Sequence, residues 1–224
     1  MKFNKVFCLF EQSGTFRDAF KRLGYPAFDY DIDNAFNTTD FQLNLFDEIQ
    51  AAYLGNMSIF DFIKPGDLII SFFPCVRFTD KALLLFNCDG YSLRAWSDSQ
   101  KVDYAYKLHC ELHNYYSYLC KLFMVCYERN LRLIVENPYS TQHYLIKYFP
   151  IKPDLIILNR RLYGDYFVKP TQFFTVNCSL NKNYISLPFN DNEYKQVEVE
   201  RGINRSLISP EFATDFIKRF ILDD

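Results

Sequence analysis

The chain has 224 residues, of which 49% are hydrophobic and 23% charged, with a formal net charge of -2. These proportions exclude a disordered or collagen-like chain and a strongly basic protein that coats nucleic acid nonspecifically. No apolar run approaches the roughly 20 residues that cross a bilayer, and the segment from Met1 to Lys5 lacks the apolar core of a signal peptide, so the expectation is one α/β domain over residues 1–224, in the cytosol and away from membranes.

Lys5 to Phe10 reads as a short buried strand. Phe16, Ala19, Phe20 and Leu23 recur at helical spacing, which predicts a helix over 15–23 that Gly24 stops. Tyr25 to Ile32 predicts a second strand ending among Asp29, Asp31 and Asp33, and a strand–helix–strand unit of this kind implies a parallel sheet. Phe41 to Leu54 has apolar spacing suited to a helix. Pro65-Gly66 turns into 67–73, a strand apolar enough to be central, which ends at Pro74-Cys75. Val76 to Gln100 supports no assignment. Residues 103–127 contain neither Pro nor Gly and repeat apolar positions every three or four residues, which makes them the longest predicted helix. A strand over 131–135 follows, closed by Glu136-Asn137-Pro138, and then a short helix to about Tyr148 with Ser140 as its cap. Residues 155–158 and 172–176 are further strands, 177–200 reads as polar loop, and Ser209-Pro210-Glu211 begins a helix running to Phe220.

Seven cysteines form no CxxC pair and leave an odd thiol, which points to reduced, mostly buried thiols and to neither a disulfide framework nor a zinc ribbon. His109 and His113 stand four apart around Glu111, but this is not HExxH, and no metal is expected. Cys110, Cys120 and Cys126 on the same helix read as core. The aromatic share of 19% is read as a large aromatic core in preference to a base-stacking surface.

In an open parallel sheet, ligands bind beyond the carboxyl ends of the strands. Those ends here carry Glu11-Gln12-Ser13-Gly14, Asp31, Pro74-Cys75 and Glu136-Asn137-Pro138. Gly14 allows close backbone approach at the start of a helix, and a carboxylate at the end of the second strand suits ribose hydroxyls. The plainer alternatives are a tight turn and a solvated strand end. Cys75 follows a proline at the end of a central strand, where a thiol would face the active-site edge, and Glu136 could act as its general acid. The alternative is a buried structural cysteine and a loop carboxylate.

Taken in order, these stations resemble the S-adenosylmethionine-dependent DNA cytosine-5 methyltransferases, especially the short methyltransferase-like proteins of bacteria and their phages. Phe10-Glu11-Gln12-Ser13-Gly14 with Arg17-Asp18-Ala19-Phe20 resembles the cofactor loop and first helix, and Asp31 is similar to the ribose-binding acid. Phe73-Pro74-Cys75 resembles the Pro-Cys motif, and Glu136-Asn137-Pro138 the Glu-Asn motif. Residues 162–165 with 169–171, and 205–211, resemble later family segments, so the likeness covers about residues 5–220. It implies a Rossmann-like class I methyltransferase fold, with a mostly parallel central sheet and helices on both faces. It also implies that Phe10, Glu11, Ser13, Gly14, Asp31 and Pro74 hold S-adenosylmethionine. Cys75 would attack carbon 6 of cytosine, Glu136 would hydrogen-bond and protonate ring nitrogen 3, and carbon 5 would take the methyl group. Asn137, Pro138 and Arg77 fall on the substrate side, and the arginine that would support the developing charge is Arg160 or Arg161 by position, or Arg77 by its nearness to Cys75. The DNA base would be flipped out of the duplex or presented single-stranded.

The chain departs from that pattern in three places. Glu11 and Gln12 replace the usual second glycine of the cofactor loop, Phe72-Phe73 precedes Pro-Cys where smaller residues or proline are usual, and 161–195 is too short for the family's large target-recognition domain. Target recognition would then be slight, absent or supplied by a protein partner. The alternative function is a catalytically inactive protein of this fold that binds nucleic acid, a nucleotide or a protein in phage–host conflict. A third is methylation of RNA or a free nucleotide. Lys147, Lys152, Arg160, Arg161 and Lys169 form either a phosphate-binding surface or a solvated face.

Overall fold

The strands alternate between two apolar faces, and this alternation builds three layers. The computed structural model describes residues 1–88, 90, 93–182 and 207–222. Its strands are β1 (Val6–Leu9), β2 (Ala27–Asp31), β3 (Phe41–Gln42), β4 (Leu68–Ser71), β5 (Arg132–Pro138), β6 (Leu155–Ile157) and β7 (Thr171–Val176). Its α-helices are α1 (Thr15–Arg22), α2 (Leu45–Tyr53), α3 (Asp80–Leu83), α4 (Asp98–Glu128), α5 (Tyr144–Tyr148) and α6 (Pro210–Phe216). One seven-stranded sheet runs β3-β2-β1-β4-β5-β7-β6. The first five strands in that order are parallel, and β7 runs antiparallel to both β5 and β6.

Val6, Cys8, Leu68, Ile70, Ile134 and Phe173 face α1 and α6, while Phe7, Leu9, Ile69, Leu133, Val135 and Phe174 face α2, α4 and α5. The expected α/β sheet with helices on both faces is therefore present. Much of the phenylalanine lies in the interior, with Phe16, Phe173, Phe212 and Phe216 buried on the first face and Phe173 and Phe216 stacked at 4.4 Å, while Phe62, Tyr106 and Tyr148 are exposed. The thiols are less uniformly buried than expected. Cys8, Cys88 and Cys126 are buried, Cys75, Cys120 and Cys178 half-buried, and Cys110 exposed.

Several boundaries differ from the sequence reading. Phe41-Gln42 is a short edge strand beside Tyr30-Asp31, and α2 starts only after Asn44, whose side chain accepts the Phe46 amide. The Phe41 ring stacks on Tyr30 at 4.9 Å, a cross-strand contact that outweighs the helical spacing of its neighbours. The unassigned stretch holds α3, capped by Thr79, and the first turn of α4, where Ser97 and Gln100 form a reciprocal capping box. The short helix α5 is capped by His143, because Ser140 to His143 closes a turn ahead of it. α6 does begin at Ser209-Pro210, ends at Phe216 and continues as a π-helical turn over Ile217–Ile221. From residue 183 onward the expected polar loop lies outside the described residues, as do Arg205 and Ser206. Among the described residues, no helix is long and apolar enough to cross a membrane.

Candidate active site

Strand register sets the site. Leu9 pairs with Ser71 and Ser71 with Val135, so the carboxyl ends of β1, β4 and β5 stop at one level. Beyond it lie Phe10, Phe72 and Glu136. β5 continues for three more residues because β7 pairs alongside Glu136, Asn137 and Pro138. The Glu-Asn-Pro segment is thus part of the strand, where the sequence reading placed it after the strand. The order of the sheet reverses between β1 and β4, and a cleft of about 520 Å³ opens there.

Of the residues that the resemblance gives a cofactor, catalytic or substrate role, eight line this cleft: Phe10, Glu11, Ser13, Asp31, Pro74, Cys75, Glu136 and Pro138. Phe10 turns the chain out of β1 at φ 58, a left-handed conformation that bulky side chains rarely hold, while its amide donates to Tyr30 O at 2.9 Å. Its ring packs against Phe46 and Phe73, each at 5.3 Å. Phe72 and Phe73 leave β4 on opposite faces, with Phe72 against Phe16 at 4.8 Å and Phe73 in the layer of α2 and α4. The bulk before Pro74-Cys75 therefore anchors that loop to both layers.

Glu11 is nearly fully buried, and its carboxylate accepts the amides of Phe16 at 2.6 Å and Arg17 at 3.2 Å. It occupies donors at the start of α1 that a ligand anion would otherwise use. Burial pushes its carboxyl up to about 7, against the opposing pull of those two amides. Gly14 lies behind this carboxylate at φ 68, and a side chain there would collide with the Arg17 guanidinium. Asp31 lies at the end of β2 with Oδ1 accepting the Asp33 amide at 2.8 Å, and burial raises its carboxyl above the ordinary range.

Cys75 is half-buried. Burial first, and then the Glu136 carboxylate, push its thiol up, while Lys169 pulls it down. Glu136 extends on the same face as Ile134, toward α6, and its Oε1 accepts no hydrogen bond. That oxygen is 3.7 Å from Nη1 of Arg160, a fully buried guanidinium that lies 4.5 Å over the Phe212 ring and 2.5 Å from Asp165 Oδ2. Asn137 points to the other face, where its side-chain amide donates to Phe73 O at 2.8 Å and Glu136 O at 3.0 Å. Asn137 thus fastens the end of β4, and with it Pro74-Cys75, to β5.

The structure does not bring every candidate into the cleft. Arg77 pairs with Glu111 on α4 at 2.5 Å, and Arg161 caps no part of the cavity wall. Gly14, Asn137 and Arg160 stand directly behind the lining without contributing to it. Sequence reasoning missed Asn44, Phe46 and Tyr115 as lining residues, and it named Lys169 only as one of a group forming either a phosphate-binding surface or a solvated face. Tyr115 has the helical spacing of a core position, and nothing local separates Lys169 from an ordinary surface lysine.

The arrangement offers a thiol, a carboxyl behind which a buried guanidinium is fixed, and a strand-end carboxylate, all in a cavity of ligand size. Among known proteins, a scan against family models and a search of curated sequences return no match.

Proposed function

We propose that the protein is an S-adenosylmethionine-dependent DNA cytosine-5 methyltransferase in which Cys75 is the nucleophile and Glu136 the acid at ring nitrogen 3. The observation that carries this reading is that Cys75, in the loop after β4, and Glu136, on β5, line one cleft together with Asp31 and the Phe10–Ser13 loop. The mostly parallel sheet with helices on both faces is the architecture that the sequence resemblance implies.

The lining also fits the cofactor chemically. Glu11, Asp31, Asp33 and Glu136 face Lys169 as the single cation among the described lining residues, a balance that suits a sulfonium better than a polyphosphate. Asp31 would hold the ribose hydroxyls, and Phe10 and Pro74 would contact the rest of the molecule. When bound, S-adenosylmethionine supplies the methyl group that carbon 5 receives. Cys75 forms the bond to carbon 6, Glu136 holds and protonates nitrogen 3, and Arg160 keeps Glu136 oriented from behind. The base reaches them from a single strand or flipped out of a duplex.

A second reading, a protein of this fold that binds nucleic acid, a nucleotide or a protein without catalysis, is favoured by one observation. The Glu11 carboxylate already occupies the first amides of α1. Calorimetric titration with S-adenosylmethionine and with its demethylated product separates the two, since micromolar binding supports the methyltransferase and no binding supports the alternative. Given binding, the native chain should be trapped covalently on single-stranded DNA containing 5-fluorocytosine, and Cys75→Ser should abolish both trapping and methyl transfer while leaving cofactor affinity within about twofold. Methyl transfer by Cys75→Ser at the native rate would remove Cys75 from the mechanism.

A further inference from the structure

Lys169 is the single positive charge among the described residues that line the cleft. It is half-buried, and among the described residues its ammonium has neither an ion-pair nor a hydrogen-bond partner. Its backbone, by contrast, is held on every side. The Arg160 amide donates to Val168 O at 2.9 Å, Thr171 Oγ1 donates to Lys169 O at 2.9 Å, and the Tyr139 amide donates to Pro170 O at 2.8 Å. These bonds tie the entry of β7 to the end of β5, the strand that carries Glu136. An ammonium with no direct ion-pair partner among the described residues, on a fixed stretch of backbone and lining the same cavity as Cys75, is arranged for a negative charge that forms during the reaction.

We propose that the Lys169 ammonium is the counter-charge of the Cys75 thiolate, stabilising the sulfur as it loses its proton and attacks the substrate ring. This rests on the reading of Cys75 as the nucleophile. The thiol proton leaves to water in the open cleft, and Lys169 remains protonated throughout. Sulfur forms its bond to carbon 6, the ring π electrons shift toward nitrogen 3, and nitrogen 3 takes a proton from Glu136. Carbon 5 of the resulting enamine takes the methyl group from the sulfonium, which departs as its neutral thioether; water in the cleft then takes the carbon 5 proton as the sulfur–carbon bond breaks, and nitrogen 3 returns its proton to the Glu136 carboxylate. The thiolate returns beside Lys169.

The electrostatics of the resting site agree with this role. Burial and the neighbouring Glu136 both oppose ionisation of Cys75, and Lys169 is the side chain that favours it. Without Lys169, the carboxyl needed at nitrogen 3 would work against the thiolate needed at carbon 6.

Alkylation of Cys75 by iodoacetamide, followed on its own peptide by mass spectrometry as a function of pH, tests the pairing in the full chain without cofactor or DNA. Exposed Cys110 serves as the internal reference. Lys169→Met is expected to move the Cys75 profile to higher pH and to slow alkylation near neutrality by about three- to tenfold, with Lys169→Arg close to the native chain. Glu136→Gln should move the profile the opposite way. A Lys169→Met profile that overlays the native one overturns the proposal, and if DNA binding falls in the same variant, Lys169 belongs to a phosphate. A shifted profile in a chain that binds no S-adenosylmethionine upholds the pairing while sinking the methyltransferase reading.

Discussion

Arg17 carries a charge into the interior between α1 and β2. Its Nη1 is 2.9 Å from both oxygens of Asp29, 3.4 Å from Asp40, and donates to Thr38 O. Asp29 is fully buried, and burial raises its carboxyl while the Asp40 amide and then Arg17 hold it down. Removing the guanidinium leaves that buried carboxylate without its paired positive charge and with the Asp40 amide, which donates to Oδ1 at 2.7 Å, as its remaining support. Arg17→Met should therefore cost about 3–5 kcal/mol in urea unfolding, and adding Asp29→Asn should recover part of the loss. Simple addition of the two losses would show that the residues do not act as a pair. Both residue types stand plainly in the sequence, yet helical periodicity gives no reason to bury an arginine, because its justification is a partner on another element.

At the scale of elements, the start of α6 is tied to the 3-10 turn Arg160–Tyr163. Ser209 Oγ accepts the Phe212 amide at 2.9 Å and donates to Gly164 O at 2.5 Å, while the Ser209 amide donates to Asp165 Oδ1 at 3.0 Å. Asp165 Oδ2 is the oxygen beside Arg160. The cap therefore stabilises its helix and also buttresses the guanidinium behind Glu136. Ser209→Ala should lower stability by about 1–2 kcal/mol in denaturant titration, and a change below about 0.5 kcal/mol would reduce Ser209 to an ordinary surface cap. The Ser-Pro-Glu signature made this helix legible in the chain. The same logic misplaced the cap of α5 at Ser140, since serine caps only when the next residues turn helical, and here they close a turn first.

For the whole molecule, two buried groups give stability opposite dependences on pH. Burial raises Glu11 from its ordinary value to about 7, so its contribution is fully present below the unfolded carboxyl range and is lost as pH rises through about 7. Burial lowers His143 to about 4, so its contribution is present above the unfolded imidazole range and is lost as pH falls through about 4. Between the two folded values the trends oppose each other, which predicts a broad stability maximum in mildly acidic solution. Glu11→Gln keeps an acceptor for the Phe16 amide and removes the charge. Relative to the native chain, it should gain up to about 3 kcal/mol between acidic and mildly alkaline solution. Parallel pH profiles for the two chains would show that Glu11 does not titrate in this range.

The sequence by itself determined the order of most strands and helices, the parallel character of the sheet's first half, and the strand ends where chemistry gathers. Apolar period, turn residues and caps act over a few neighbouring positions, so they can be read locally. It did not determine that β7 returns antiparallel between β5 and β6, which lengthens β5 through Pro138 and carries Lys169 to the cleft. Nor did it determine that Arg77 turns away to Glu111, that Glu11 closes the start of α1, or that Arg160 is buried behind Glu136. Those outcomes depend on which charges find compensation from distant parts of the chain, and only the packed sheet brings such partners within a few ångströms of each other.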